Sequence, residues 1–500
     1  MESKLTTLLK NSVFSISALI LLISSLLIFI FTDEFYESIE NISLWIRTYF
    51  GSFYLWLGLG CVLFLLILAF SKFGRIRLGN SPPEFDRWSW IAMLYSAGMG
   101  AGILLRAVQE PVFMLMNPPI ETGELAEIIA LEYTFYQWGF TAWAFYGLFA
   151  VIIGYSIFIE KADIRLSSGF SSFKKSRILS SSIDILTVLT TVIGLVAAIG
   201  LGTTQIEGGL SHMESKEPGS LWQNMGLVFL ICALAFMSAW AGVNKGIKRI
   251  SNWNIYIALA LMIFVFLSGD ISKISINFFT SLYHYIFDFI PLSLASGKYD
   301  PGVQFLTDWT YYYWAFWLAW APFTGIFIAR ISKGRSIREM IFGVLLIPSI
   351  GSFFWFSVFG TSAFELIESW NTYNNEFGNV FTSMFAFFEA YPLPTLTSVV
   401  VILLLISFLV TSVDSAIFVL SMFTDHGNQE PKKKYRLAWA VLILIFCEAI
   451  IVLGQVKPDS NVLTAMQKFL IISSLPFALF SILIIILFSR KLFRRRSEKF

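Results

Sequence analysis

Charge is scarce in this chain. Only 14% of its 500 residues are Asp, Glu, Lys or Arg, against about 25% in a typical soluble domain, which excludes an ordinary soluble enzyme. The net charge is only +2, so the chain lacks the basic surface that nucleic acid would need. Three cysteines, Cys61, Cys232 and Cys447, lie in apolar runs without metal-ligand spacing and read as small buried hydrophobes, not as a disulfide framework. Three histidines leave little room for a metal centre. HExxH and GxSxG motifs are absent, as is a nucleophile–base pair, so an intramembrane enzyme has no visible machinery. No Gly/Ser-rich linker or low-complexity stretch marks off a soluble domain. Apolar and aromatic residues are abundant instead, at 56% and 17%, with a mean hydropathy of +0.72. This richness also excludes disorder. The composition is that of an all-α polytopic membrane protein.

A helix needs about 20 largely apolar residues to cross a bilayer. Twelve candidate spans follow, at about 13–31, 53–71, 88–109, 131–158, 183–206, 222–242, 253–269, 309–329, 339–362, 395–423, 437–455 and 466–489. Of the 35 Lys and Arg residues, 28 fall in the terminal segments and the loops after the even-numbered spans. The alternate loops are acidic, as in Asp33, Glu34, Glu37 and Glu40. Basic residues stay on the cytoplasmic side, so both termini are expected there, in a multi-pass protein of the cell (inner) membrane whose solvent is the lipid bilayer. Residues 270–292 combine helical apolar spacing with Lys273, His284 and Asp288 and read as an interfacial amphipathic helix on the outer side.

Function should lie where a span departs from plain Leu, Ile and Phe. Span 3 reads SAGMGAGILLRAVQEP, with Gly98, Gly100 and Gly102 at alternate positions. That spacing points to local unwinding around a ligand, with close helix packing through small residues as the plainer alternative. Arg106 and Glu110 in the same span either pair along the helix or leave Arg106 to meet an anionic substrate group. Span 4 carries Trp138, Trp143 and Tyr146, which converge only if the helix is distorted. Span 8 carries Trp314, Trp317 and Trp320 at three-residue spacing, read as one aromatic stripe. Aromatic faces suit a quaternary ammonium head, although a packed aromatic core fits the same residues. Span 10 holds the polar cluster Thr411, Ser412, Asp414 and Ser415. It suits a small cation or simple bonding back to the helix's own carbonyls.

Together AGMGAG (97–102), the Trp138/Trp143/Tyr146 set, the Trp-rich span 8, GLGTTQIEGGL (200–210), NKGIKRISN (244–252), RISKGRSIRE (330–339) and TSVDSA (411–416) resemble the betaine/carnitine/choline transporter family. The resemblance covers about residues 50 to 489. It implies a leucine-transporter-type core of two inverted five-helix repeats. The division is then peripheral residues 1–87, a first repeat at 88–269, the interfacial segment at 270–308, a second repeat at 309–489 and a basic tail at 490–500. A homotrimer is implied in the same way. By position, Trp138, Trp143, Tyr146 and Trp317 match the family's onium cage, with Trp320 at a second aromatic position. Phe316 stands where a further Trp is common.

For the coupling ion, the carbonyls of Ser96, Met99 and Phe408 with the hydroxyls of Thr411 and Ser412 match one Na⁺ site. Ile255 occupies the position where sodium-independent exchangers of the family place an arginine. A second Na⁺ site would use Thr191 and Phe323, but Leu195 replaces an expected Thr, so one Na⁺ is expected, not two. The expected activity is import of a small onium zwitterion of the glycine betaine or dimethylsulfoniopropionate type, coupled to Na⁺. Amides around Gly98, Met99, Gly100 and Gly102, with Arg106, would receive the carboxylate. Alternatively, Arg106 substitutes for a coupling ion. An exchanger, or a proton-coupled carrier of choline- or carnitine-like compounds using Asp414 or Glu110, is the nearest rival. A non-transporting sensor is a further one. The tail's shortness gives an expectation of transport without strong osmotic gating.

Overall fold

A computed structural model describes residues 11–98, 100–121, 123–169, 176–216, 219–241, 244–425, 427–428, 430–456 and 461–497. The described residues form helices; their one β-type contact is an isolated bridge between Arg77 and Ser336. The helices are α1 (Ser12–Ile30), α2 (Thr32–Phe70), α3 (Arg87–Gly98), α4 (Ala101–Arg106), α5 (Gln109–Met116), α6 (Ala126–Trp138), α7 (Phe140–Phe158), α8 (Arg177–Met213) and α9 (Leu221–Ala241). They continue with α10 (Asn244–Ser268), α11 (Ile271–Phe287), α12 (Phe289–Ser293), α13 (Tyr311–Ile331), α14 (Ile337–Ser369), α15 (Ser383–Glu389), α16 (Pro394–Thr424), α17 (Lys433–Leu453) and α18 (Val462–Ser497).

Each expected span coincides with helix, continuous or, in spans 3 and 4, broken. Among the described residues, ten helices are long and apolar enough to cross a membrane, or eleven with one bent pair taken as a span. Twelve crossings would require the broken series α3–α5 and the segment around α10 to cross as well. Span 2 departs most from expectation, since α2 begins at Thr32, not near residue 53. Within its acidic stretch Glu40 is neutralised from both sides, by Arg47 at 3.2 Å and Lys468 at 2.6 Å.

The expected interfacial helix is α11. It turns 112° away from α10, and Asp270 caps it by accepting from the amides of Ser272 and Lys273 at 2.8 and 3.0 Å. A capped start of this kind satisfies amide groups that would otherwise be orphaned at the bend. The outward face of α11 is apolar, with Ile276, Phe279 and Phe287 exposed, while Asn277, Ser281 and Tyr285 point into the protein.

At the centre α13 packs on α7, α8 and α18, and α8 packs on α16 and α18. The basic end is clasped. Leu78 and Gly334 exchange backbone hydrogen bonds with the opposite loop, Leu78 N to Arg335 O at 2.9 Å and Gly334 N to Leu78 O at 2.8 Å. Gly334 has φ +82°, and a Cβ there would lie 2.6 Å from the backbone of Pro82, so only glycine fits. The Arg335 guanidinium lies 4.2 Å over Trp90 and donates to the carbonyls of Phe85 and Asp86.

Candidate functional site

Two interruptions build the site. The first falls in the Gly-rich segment. Helix α3 stops at Gly98, and α4 resumes at Ala101 with Gly100 extended at φ −137°, ψ −174°. This is the unwinding expected from the alternating glycines. A Cβ on Gly100 would meet nothing within 4 Å, and one on Gly102 would touch Trp138 at 3.6 Å. Open space and an indole therefore border the break. Met99 lies outside the described residues, and only the helical backbone of Ser96 and Gly98 is described.

The second interruption, at Gly139, separates α6 from α7. Gly139 has φ −97° and ψ −139°. A Cβ there would fall 2.5 Å from the Tyr285 hydroxyl, 2.6 Å from the Phe135 carbonyl and 2.7 Å from the Phe353 ring. A break inside a membrane helix frees backbone groups that must find partners. The Gln137 carbonyl accepts from Trp317 Nε1 at 2.9 Å, and Phe140 N donates to the Tyr285 hydroxyl at 2.8 Å. This break supplies the distortion that convergence of Trp138, Trp143 and Tyr146 requires.

The aromatic rings meet as follows. Trp317 lies 5.2 Å from Trp138 and 5.8 Å from Tyr146, both edge-to-face. Trp143 joins through Tyr146 at 5.3 Å. Phe316 contacts Trp317 at 5.4 Å and, further along, Trp320, which reaches Phe323 at 5.5 Å. The stripe expected from Trp314, Trp317 and Trp320 is not one surface. Trp314 turns to Tyr136 and Phe145 on the other side of α13, because a three-residue step drifts by 60° each time. The continuous row runs at four-residue spacing. Phe305, Trp309, Tyr313 and Trp317 stack nearly parallel, with centroids 6.2, 6.4 and 6.3 Å apart. A wider π-turn at Leu306–Thr310 carries the row from α13 toward the acidic end.

Through Trp309 that row borders a cavity of about 720 Å³ whose lining also includes Arg106, Gln109, Asn379, Phe381 and Gln467. The lining comes from helix ends, including those of α4, α8 and α18, and from the loops of the acidic end, opposite the clasp. Arg106 is buried in the cavity floor. It donates to Gln109 Oε1 at 2.8 Å and lies 5.1 Å over Trp309, rather than closing on Glu110. Glu110 is fully buried. Its carboxylate accepts from Trp138 Nε1 at 3.2 Å and from the Tyr313 hydroxyl. Glu110 and Tyr313 thus hold the cage from the cavity side. Tyr313 was not singled out from the sequence, and its four-residue offset from Trp317 was the available signal.

On α16, Thr411 donates its hydroxyl hydrogen to the carbonyls of Ser407 and Phe408 at 2.9 and 3.1 Å. The hydroxyl's lone pairs stay available to a cation. Ser412 sits beside it, half-buried. Ser407 also bonds Asn254 at 2.7 Å, which brings α10 and its Ile255 next to this cluster. At the second expected ion position Thr191 donates to Thr187 O at 2.8 Å, Leu195 is buried and apolar, and Phe323 packs on Trp320. The first cluster brings two hydroxyls together, at Thr411 and Ser412, whereas the second position has one, at Thr191, beside the apolar Leu195.

The sequence profile of the family described as BCCT, betaine/carnitine/choline family transporter, matches residues 12–497. The chain is 36% identical over 476 residues to the glycine betaine transporter OpuD of Bacillus subtilis (strain 168), covering 92% of this chain and 91% of that one. It is 32% identical over 493 residues to the ectoine/hydroxyectoine transporter of Virgibacillus pantothenticus, covering 97% of both. Identity is also 32% over 478 residues with the high-affinity choline transport protein of Escherichia coli (strain K12), across 93% of this chain and 69% of that one.

Proposed function

The chain belongs to the betaine/carnitine/choline transporter family, and from that premise we propose that it imports a small quaternary-ammonium or sulfonium zwitterion, of the glycine betaine or dimethylsulfoniopropionate type, by symport with Na⁺. It is a membrane transporter of betaine- and choline-like compounds, not an enzyme. The observation that carries the zwitterion reading is the meeting of Trp317 with Trp138 and Tyr146 beside the break at Gly100. Methylated onium heads lack hydrogen-bond donors, so aromatic faces are their natural partners, at about 0.5–2 kcal/mol per ring. The start of α4 after the break orients backbone amides in a way that suits a carboxylate.

In this reading Trp138, Trp143, Tyr146 and Trp317 hold the head, with Phe316 and Trp320 continuing the path. The amides of the 98–102 segment and Arg106 attract the carboxylate. Na⁺, a co-substrate, would be held by Thr411 and Ser412 with carbonyls of Ser96, Met99 and Phe408. Binding there would join α3 to α16 and favour the substrate-binding state. The cavity open at the acidic end and the clasp at the basic end fit a carrier poised to load from outside. A proton-coupled or exchange mechanism for choline- or carnitine-like compounds is the second reading. It is favoured by Glu110, a fully buried carboxylate bonded to the cage.

Trp317→Leu tests the cage. Affinity for glycine betaine, choline and tetramethylammonium, measured by intrinsic tryptophan fluorescence titration in detergent, should fall about tenfold or more for each. Unchanged affinity would remove the cage.

A further inference from the structure

We propose that Tyr285, on the interfacial helix α11, is a positioning residue of the onium site. It fixes the first half of the cage relative to the second. The proposal rests on the cage reading above and goes beyond it by linking the cage to a helix outside the transport core.

The break at Gly139 divides the cage. Trp138 ends α6, while Trp143 and Tyr146 lie on α7. The angle between these two pieces therefore sets whether the rings converge. Of the two backbone groups at the break with partners from other helices, the carbonyl of Gln137 is taken by Trp317, itself a cage member. The amide of Phe140 is taken by Tyr285. Tyr285 is fully buried, and its ring is fixed by Phe140, Phe289 and Phe353 at 5.0–5.6 Å. Its hydroxyl occupies the volume that a side chain at residue 139 would need. The tyrosine thus satisfies the freed donor and wedges the break at once.

The rest of α11 is fastened to α6, the piece that carries Trp138. Lys273 pairs with Glu127 at 3.0 Å, and Asn277 donates to the same carboxylate at 2.7 Å. Ser281 donates to the carbonyl of Ile128 at 3.3 Å. One helix thus grips α6 at its start and the break at its end. The outward face of α11 is apolar and exposed. The position of α11 is accordingly transmitted to the cage through the Tyr285 hydroxyl at the break and through these contacts with α6.

The test is Tyr285→Phe, which keeps the ring and removes only the hydroxyl. It is measured beside wild type and Trp317→Leu. Uptake of labelled glycine betaine into proteoliposomes gives KM and maximal rate, and competition by tetramethylammonium, which has a head and no carboxylate, gives its inhibition constant. The expected result is a rise of roughly tenfold in both KM and the tetramethylammonium constant. The maximal rate should stay within about twofold, and the fluorescence change on binding should shrink. Equal factors for the two compounds place the effect at the head-group cage. If Tyr285→Phe changes neither constant while Trp317→Leu weakens both, the positioning role is overturned and the cage stands. A fall in maximal rate with unchanged KM likewise overturns it, because that is the mark of a merely structural residue. Unchanged affinity in Trp317→Leu would overturn the cage reading and this inference with it.

Discussion

Arg106 lines the cavity with its guanidinium over Trp309 and hydrogen bonds to Gln109 and Tyr312. A buried guanidinium held by neutral acceptors is suited to an incoming carboxylate, since charge-assisted bonds to carboxylate are its strongest available interactions. Arg106→Ala should therefore raise KM for glycine betaine about tenfold or more while leaving choline, which has no carboxylate, within about twofold. Uptake kinetics for the two compounds check this, and equal losses would make Arg106 structural. At this scale the meeting of Trp138 with Trp317 was legible because indoles in mid-span are unusual wherever interfacial anchoring does not explain them. The bond from Tyr313 and Trp138 to Glu110 was not legible. It joins residues from three separate helices, and no local spacing encodes it.

Among the elements, the two breaks differ in how openly the sequence announces them. Three alternating glycines are enough to predict the interruption at Gly98–Ala101. Gly139 stands alone in an aromatic run, and single glycines are common in membrane helices that do not break. Here the cause is tertiary, because Tyr285, Phe353 and the Phe135 carbonyl leave no space for a Cβ. Gly139→Ala should then cost about 1–3 kcal/mol through overpacking, lowering the melting temperature in detergent and weakening onium binding. Gly60→Ala is the control. It lies in α2, with nothing within 4 Å of its Cβ position, and should leave both unchanged or gain slightly from helix propensity. Destabilisation of equal size at both sites would contradict the wedge at Gly139. The Trp314–Trp317–Trp320 stripe failed for a geometric reason. Residues spaced by three spiral around a helix, whereas the four-residue row from Phe305 to Trp317, aided by the π-turn, stays on one line.

Across the whole molecule, hydropathy and the placement of Lys and Arg made the helical segments and the two ends readable before any contact was known. What they could not give was which end is open. That depends on the clasp of the 330–339 loop over residues 76–86 and on the cavity between distant loops at the acidic end. Among the described residues, the span that carries the Gly-rich break is not one of the helices long and apolar enough to cross a membrane unbroken, in keeping with a binding site placed inside a membrane helix. Ion coupling belongs to this scale as well, because in the proposed reading Na⁺ at Thr411 and Ser412 would join α16 to α3. The most direct measurement is uptake of labelled glycine betaine into proteoliposomes with and without an inward Na⁺ gradient, in competition with dimethylsulfoniopropionate and choline. The account predicts accumulation only with the gradient, blocked by the sulfonium zwitterion far more than by choline. Uptake indifferent to Na⁺ and appearing only when the vesicles are preloaded with substrate would contradict it.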